Sequence, residues 1–219
     1  MSKIPLSTPN LNGNEWKYIK ECLDTNWVSS AGEFVERFEN ELEKYTGCQN
    51  AVSTVNGTAA LHTALNVLGV GQGDKVLVPA LTFIASVNPI KYCGAEPVFV
   101  DSEEDTYNID PNKLEKIIEN LIERGEKPKA LIAVHIYGQP AKIDEIVETC
   151  KKYNIYLIED ATESLGSKYK EKMTGTFGDI GCFSFNGNKL ITTGGGGMLI
   201  TDNNKLTLIG LGAYYYSNL

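Results

Sequence analysis

Near the start of the chain, Trp16, Ile19 and Leu23 recur at helical spacing. Phe34, Phe38 and Leu42 repeat the pattern after Gly32, so two amphipathic helices are predicted. From Ala51 onward the pattern changes. Short β-branched runs alternate with helical segments: AVSTV, KVLVP, PVFV, ALIAV, IYLIE, GCFSF and GMLIT read as seven strands. The helices between them are predicted over about Thr58 to Leu68, Phe83 to Tyr92, Pro111 to Glu123 and Ile143 to Tyr153.

These strands are apolar along most of their length rather than on alternate residues. That suits an α/β domain whose mostly parallel sheet is covered by helices on both faces. Ligands in such sheets bind beyond the carboxyl ends of the strands, where loops lead into helices. No Ser/Gly-rich linker or internal repeat interrupts the pattern, so a helical arm over residues 1–48 and a single large domain over 49–219 are expected.

Composition narrows the function classes. The chain has 219 residues, 28 acidic against 20 basic side chains, and a formal charge of -8. It has no Lys/Arg-rich run to follow a phosphate backbone, so nucleic acid is not an expected partner. No stretch approaches the ~20 apolar residues that span a bilayer, and MSKIPLSTPNLNGNEW lacks a signal-peptide core, which leads us to expect a cytoplasmic protein without membrane association. The five cysteines include no CxxC pair, and the two histidines, His62 and His135, lie too far apart in sequence to suggest a ligand pair, so no metal site is expected.

Three strand ends carry candidate chemistry. In VNGTAALHTAL, Asn56 and Gly57 follow a strand and Thr58 opens a helix; free N–H groups there suit a phosphate, although a plain turn capped by Thr58 has the same sequence. In LIEDATESLGS, Asp160 sits just past an apolar strand, where a carboxylate needs a cationic partner or else caps the following turn. In CFSFNGNKLITTGGGGM, Ser184 and Lys189 lie beyond a strand, in a loop ending in Gly194 to Gly197. Four consecutive glycines cost conformational entropy, so close backbone approach is expected there. Lys189 is either a solvated surface charge or an amine able to form an imine.

The stretches NWVSSAGEFVERFE, NGTAALHTAL, VPALTFIASVNPI, GAEPVFVD, VHIYGQPAKID, EDATESLGS, GDIGCFSFNGNK and TTGGGGM, in this order, resemble the amino-terminal part of the DegT-type (DegT/DnrJ/EryC) sugar aminotransferases. These belong to the fold-type I superfamily of pyridoxal-phosphate enzymes. The resemblance implies a mixed, mostly parallel seven-stranded sheet sandwiched by helices. It also implies pyridoxal 5'-phosphate as cofactor, with Lys189 holding it covalently and then shuttling a proton. Asp160 would keep its pyridine nitrogen protonated. Gly57, Thr58 and Ser184 would bind the phosphate, with a further amide from Ala59, and Phe83 would stack on the ring unless it is a core residue. Glu163, where many relatives carry Gln, falls near the cofactor's phenolic oxygen, which a second negative group would oppose unless one is protonated. Trp27, Ser29 and Ser30 match a segment near the sugar site, although a Trp there also suits core packing. His135 and Tyr137 read as a structural corner.

The activity implied is transfer of an amino group, from glutamate, to a keto carbon of a nucleotide-linked deoxysugar in amino-sugar biosynthesis. The NGNKLITTGGGGM loop resembles the branch that aminates carbon 4 of UDP-linked 4-keto-6-deoxy-N-acetyl sugars. Family members work as homodimers and carry a smaller C-terminal domain for which these 219 residues hold no counterpart. Two rival readings stand beside this one. A sugar dehydratase of the same fold replaces the lysine with histidine, whereas this chain has Lys189. A non-catalytic remnant would bind the cofactor without turnover.

Overall fold

The computed structural model describes residues 8, 10–27 and 32–207. Two compact units are distinguished, Met1–Phe38 and Glu39–Leu219. The first contains α1 (Glu15–Asp24) and the start of α2 (Glu33–Thr46). Within it, Tyr18 meets Phe34 edge to face at 5.6 Å. The later turns of α2 belong to the second unit, earlier than the 48/49 boundary drawn from the sequence, and the hydrogen bonds show why. Glu43 accepts the Ala51 N–H at 3.0 Å, and Glu39 accepts the Ser53 N–H at 2.7 Å. Both donors lie on β1 (Asn50–Thr54), a sheet edge, and the two carboxylates occupy N–H groups that would otherwise template pairing with another chain.

The second unit continues with α3 (Gly57–Val67), β2 (Lys75–Pro79), α4 (Asn88–Tyr92), β3 (Glu96–Val100), α5 (Pro111–Glu123), β4 (Ala130–Val134), α6 (Ile143–Tyr153) and β5 (Tyr156–Asp160). A two-stranded hairpin, β6 (Lys168–Tyr169) and β7 (Lys172–Met173), precedes β8 (Ile180–Ser184) and β9 (Gly197–Thr201). All seven strands read from the sequence are present, in the order β1-β9-β8-β5-β4-β2-β3. The sheet is parallel except at β9, which runs antiparallel to both β1 and β8. The mixed, mostly parallel seven-stranded architecture is therefore as expected.

Helix ends follow local chemistry. Asp110 caps α5 by accepting from Asn112 and Lys113 N–H ahead of Pro111, and α6 stops at Asn154 in the left-handed conformation. The helix expected over Phe83 to Tyr92 is instead a 3-10 turn, Ile84–Ser86, followed by the short α4. Pro89 explains the break, because it has no N–H to give the preceding turn.

Strand side chains alternate between two cores. Val76, Val78, Ile132 and Ile158 pack with Leu61 and Leu65 of α3, while Leu77, Leu131 and Leu157 pack with Leu114 and Ile118 of α5 and Ile143 and Ile146 of α6. Burying each such side chain contributes about 1.5–3 kcal/mol, so the sheet is held from both faces. The same alternation decides the site: Asp160 shares a face with Ile158 and α3, and Glu159 shares the other with Leu157. Among the described residues, no helix is long and apolar enough to cross a membrane.

Candidate active site

A cavity of about 320 Å³ opens at the carboxyl ends of β4, β5 and β8, bounded by the start of α3 and the turn after β2. Gly57, Thr58, Phe83, Asp160, Glu163, Ser184 and Lys189 all line it. Seven residues chosen from four separate segments of the sequence thus meet around one space.

At the start of α3 the N-cap is Asn56, not Thr58 as the plain-turn reading had it. The Asn56 side chain accepts the Ala59 N–H at 2.8 Å, so the Ala59 amide expected to face a phosphate is already engaged. The Gly57 and Thr58 N–H groups have no acceptor among the described residues. Ser184, at the end of β8, stands beside them: a Cβ on Gly57 would lie 2.8 Å from Ser184 Cβ and 3.0 Å from Thr162 Cγ2. The absence of a side chain at Gly57 is what lets the helix start and the serine approach. Two free amides, a hydroxyl and the positive end of a three-turn helix form a cradle for a phosphate dianion.

Asp160 is 4% exposed. Its Oδ2 accepts from Ser86 Oγ at 2.7 Å and its Oδ1 from the Thr162 N–H at 3.2 Å, so it does cap the next turn as one reading had it. Ser86 Oγ in turn lies 2.8 Å from Thr82 Oγ1. Both partners of the carboxylate are neutral, and among the described residues no Lys, Arg or His forms an ion pair with it. An ion kept from water costs several kcal/mol unless an opposite charge offsets it, and a carboxylate facing a cavity leaves room for one. A protonated pyridine nitrogen would meet that need. Thr82 and Ser86 were not found from sequence, since nothing in ALTFIASVN marks one hydroxyl above another.

Lys189 lies in a turn after β8, its N–H bonded to Asn186 O at 3.0 Å. Its side chain is 15% exposed, and Nζ is 3.3 Å from Glu163 Oε1. The other Glu163 oxygen accepts the Tyr137 N–H at 3.1 Å. The carboxylate that looked poorly matched to a phenolic oxygen is thus paired with the amine itself. The glycine run has a packing reason: Gly194 is left-handed (φ 82), and a Cβ on Gly197 would lie 2.4 Å from the Asn56 backbone, so the start of β9 presses against the turn that opens α3.

Phe83 is 75% exposed, which removes the reading of a core phenylalanine and leaves its ring free to stack on a ligand. His135 is fully buried. Its Nδ1 accepts the Ala141 N–H at 3.1 Å, so the proton resides on Nε2, which donates to Glu159 Oε2 at 3.0 Å. Glu159 also accepts from the Gly175, Phe177 and Gly178 N–H groups. These bonds hold His135 in the corner after β4, and the residue also forms part of the cavity wall. Cys182, also buried, has its thiol pushed far up by burial, with the Asp160 and Glu159 carboxylates adding to the effect, and is inert. Trp27 belongs to the first unit and is half exposed, while Ser29 and Ser30 lie outside the described residues.

The donor set fits pyridoxal phosphate: an anion cradle, a buried carboxylate without a cation, an exposed aromatic face and a half-buried primary amine, all around one cavity.

The chain is similar to known proteins throughout. The model of the DegT/DnrJ/EryC1/StrS aminotransferase family matches residues 9–209. GDP-perosamine synthase of Escherichia coli O157:H7 is 49% identical over 206 residues, covering 94% of this chain and 55% of that protein. A DegT DnrJ EryC1 StrS aminotransferase from Brucella abortus superposes with a TM-score of 0.87 at 34% identity, covering 90% of this chain and 53% of the other. E. coli GDP-4-keto-6-deoxy-D-mannose-3-dehydratase, solved with bound hydrated PLP, gives 0.88 at 30% identity, covering 96% and 54%. This chain spans about half the length of the relatives it matches. With the fold, the cavity and the family match in agreement, the chain belongs to the DegT/DnrJ/EryC1/StrS aminotransferase family.

Proposed function

We propose that this chain forms the cofactor-binding part of a pyridoxal-phosphate-dependent aminotransferase, which moves an amino group from glutamate to a keto carbon, carbon 4, of a nucleotide-linked deoxysugar. The observation that carries the reading is the convergence of Lys189, Asp160 and the free amides of Gly57 and Thr58 on one cavity. When bound, the cofactor supplies an aldehyde carbon that exchanges amines and a protonated ring that takes up an electron pair.

The chain's own residues divide the remaining work. The Gly57 and Thr58 N–H groups and Ser184 Oγ donate to the phosphate. Asp160, anchored by Ser86, would hold a proton on the ring nitrogen, and the exposed Phe83 face would stack on the ring and exclude water. Lys189 would hold the cofactor through Nζ, and the same amine, when free, would be the group placed to move a proton at the substrate carbon. Glu163, at 3.3 Å from Nζ, would orient the amine within the cavity.

A nucleotide-linked 4-keto sugar as substrate is supported by two of the reported names, GDP-perosamine synthase and GDP-4-keto-6-deoxy-D-mannose-3-dehydratase, which carry GDP rather than the UDP suggested by the glycine-loop resemblance. The dehydratase reading is disfavoured by Lys189. A homodimer and a cytoplasmic location belong to the same reading. Val55, Leu81, Ile84 and Leu190 stay exposed beside the cavity residues, a surface suited to a second copy.

The test is the first half-reaction. The chain, loaded with pyridoxal phosphate, is mixed with glutamate, and 2-oxoglutarate is measured; GDP- and UDP-linked 4-keto-6-deoxy sugars are then added and the amino sugar is sought. Stoichiometric 2-oxoglutarate that disappears in K189A supports the reading. Bound cofactor with no 2-oxoglutarate contradicts it for this chain alone and favours the remnant.

A further inference from the structure

The loop between β3 and α5 touches no part of the cavity, yet it is tied to Lys189 by an unbroken series of bonds. Asn108, in that loop, is 2% exposed. Its Oδ1 accepts the Ile136 N–H at 3.0 Å, and its Nδ2 donates to Gln139 O at 2.9 Å and to Thr106 Oγ1 at 3.1 Å. One side-chain amide therefore staples both ends of the turn over residues 136–139, and the donor and acceptor at those ends fix which way it points.

The stapled turn closes on two backbone bonds, Gly138 N–H to His135 O at 3.1 Å and Gln139 N–H to Ile136 O at 2.9 Å, and it holds one non-glycine residue in an uncommon conformation. Tyr137 has φ 51 and Gly138 has φ 84, two successive left-handed residues, and the Tyr137 ring is 89% exposed, so its packing does not explain the conformation. What the turn does achieve is aim. It points the Tyr137 N–H at Glu163 Oε2, 3.1 Å away, while Glu163 Oε1 meets Lys189 Nζ at 3.3 Å. Gly138 packs against the same segment, since a Cβ on it would lie 3.0 Å from Glu163 O. The loop that supplies Asn108 is itself locked, because Glu103 accepts the Asp105 and Thr106 N–H groups and pairs with Lys142 at 3.1 Å.

We propose that Asn108 is a positioning residue for Lys189, acting through the turn at 136–139 and the two oxygens of Glu163. The proposal rests on the reading of Lys189 as the lysine that bonds the cofactor. Glu163 is held at one oxygen by a fixed N–H, so its other oxygen presents a fixed point to an amine on an otherwise exposed turn. Without Asn108 the turn relaxes, the Tyr137 N–H leaves Glu163, and Nζ samples more of the cavity mouth.

The experiment follows the rate at which a borohydride-reducible adduct forms between pyridoxal phosphate and Lys189 in the unmodified chain, N108A, E163Q and the double variant. Binding of 4-deoxypyridoxine 5'-phosphate, which lacks the reacting aldehyde, is measured beside it. The expected result is an adduct rate lowered about tenfold in N108A, analogue affinity within about twofold, and no further loss when N108A is added to E163Q. An unchanged rate, additive effects in the double variant, or an equal loss of analogue binding overturns the proposal. N108D keeps the acceptor for Ile136 and is used if N108A does not fold; failure of both to fold overturns the proposal in favour of a stability role. If the unmodified chain forms no more adduct than K189A, the reading of Lys189 fails instead.

Discussion

Asp160 is the residue at which burial and charge are most at odds. Its carboxylate accepts two neutral hydrogen bonds and has no cation among the described residues, so Asp160→Asn removes a buried charge while keeping an oxygen for Ser86 or Thr162. The expected outcome has opposite signs in two states. The cofactor-free chain keeps or gains thermal stability, whereas the stabilisation given by saturating pyridoxal phosphate falls by about 1–3 kcal/mol, read from melting curves with and without cofactor. Equal stabilisation of both proteins by the cofactor contradicts an ionic partner for Asp160. Asp160, Lys189 and Ser184 were legible in sequence because each lies at or just beyond the carboxyl end of an apolar strand, where topology puts ligands. Ser86 and Asn108 were not, because what selects them is a partner 74 or 28 residues away in the chain, and Thr82, four residues from Ser86, is marked only through Ser86's bond to Asp160.

At the scale of elements, the loop between β3 and α5 has an electrostatic lock that titrates. Burial raises the Glu103 carboxyl, but the Thr106 hydroxyl, the Asp105 and Thr106 N–H groups and Lys142 outweigh it and hold it down to about 2 from 4.5. Lys142, between Asp105 and Glu103, is pushed up to about 12. A carboxyl whose folded value is depressed stabilises above its unfolded value, so the contribution of Glu103 is complete above pH ~4.5 and is lost as pH falls towards ~2. Glu103→Gln is expected to be less stable at pH 7 and to lose less between pH ~5 and ~3, measured by urea unfolding at each pH. Parallel curves for the two proteins contradict the assignment. The elements themselves were readable: α5 and α6 begin and end where capping and periodicity put them, and the strands stand where the apolar runs lie. The helix predicted over Phe83 to Tyr92 divided at Val87, because Pro89, in the first turn of α4, has no N–H to continue the preceding turn, which apolar periodicity alone does not register.

Across the large unit, the two cores fix the sheet, and the sheet's carboxyl edge gathers chemistry from segments as distant in sequence as Gly57 and Lys189. The fold class was legible because strands apolar on both faces admit few architectures. The direction of β9 was not, since GMLIT reads alike in a parallel or antiparallel strand; it is the loop after β8, closed by bonds from Phe185 N–H to Gly196 O and from Thr193 N–H to Phe185 O, that turns the chain back. The measurement that tests the account most directly is borohydride reduction of the chain equilibrated with pyridoxal phosphate, followed by peptide mapping, beside K189A. The account predicts one cofactor adduct, on the peptide containing Lys189, and none there in the variant. Label spread over other lysines, or the same label in K189A, would contradict it.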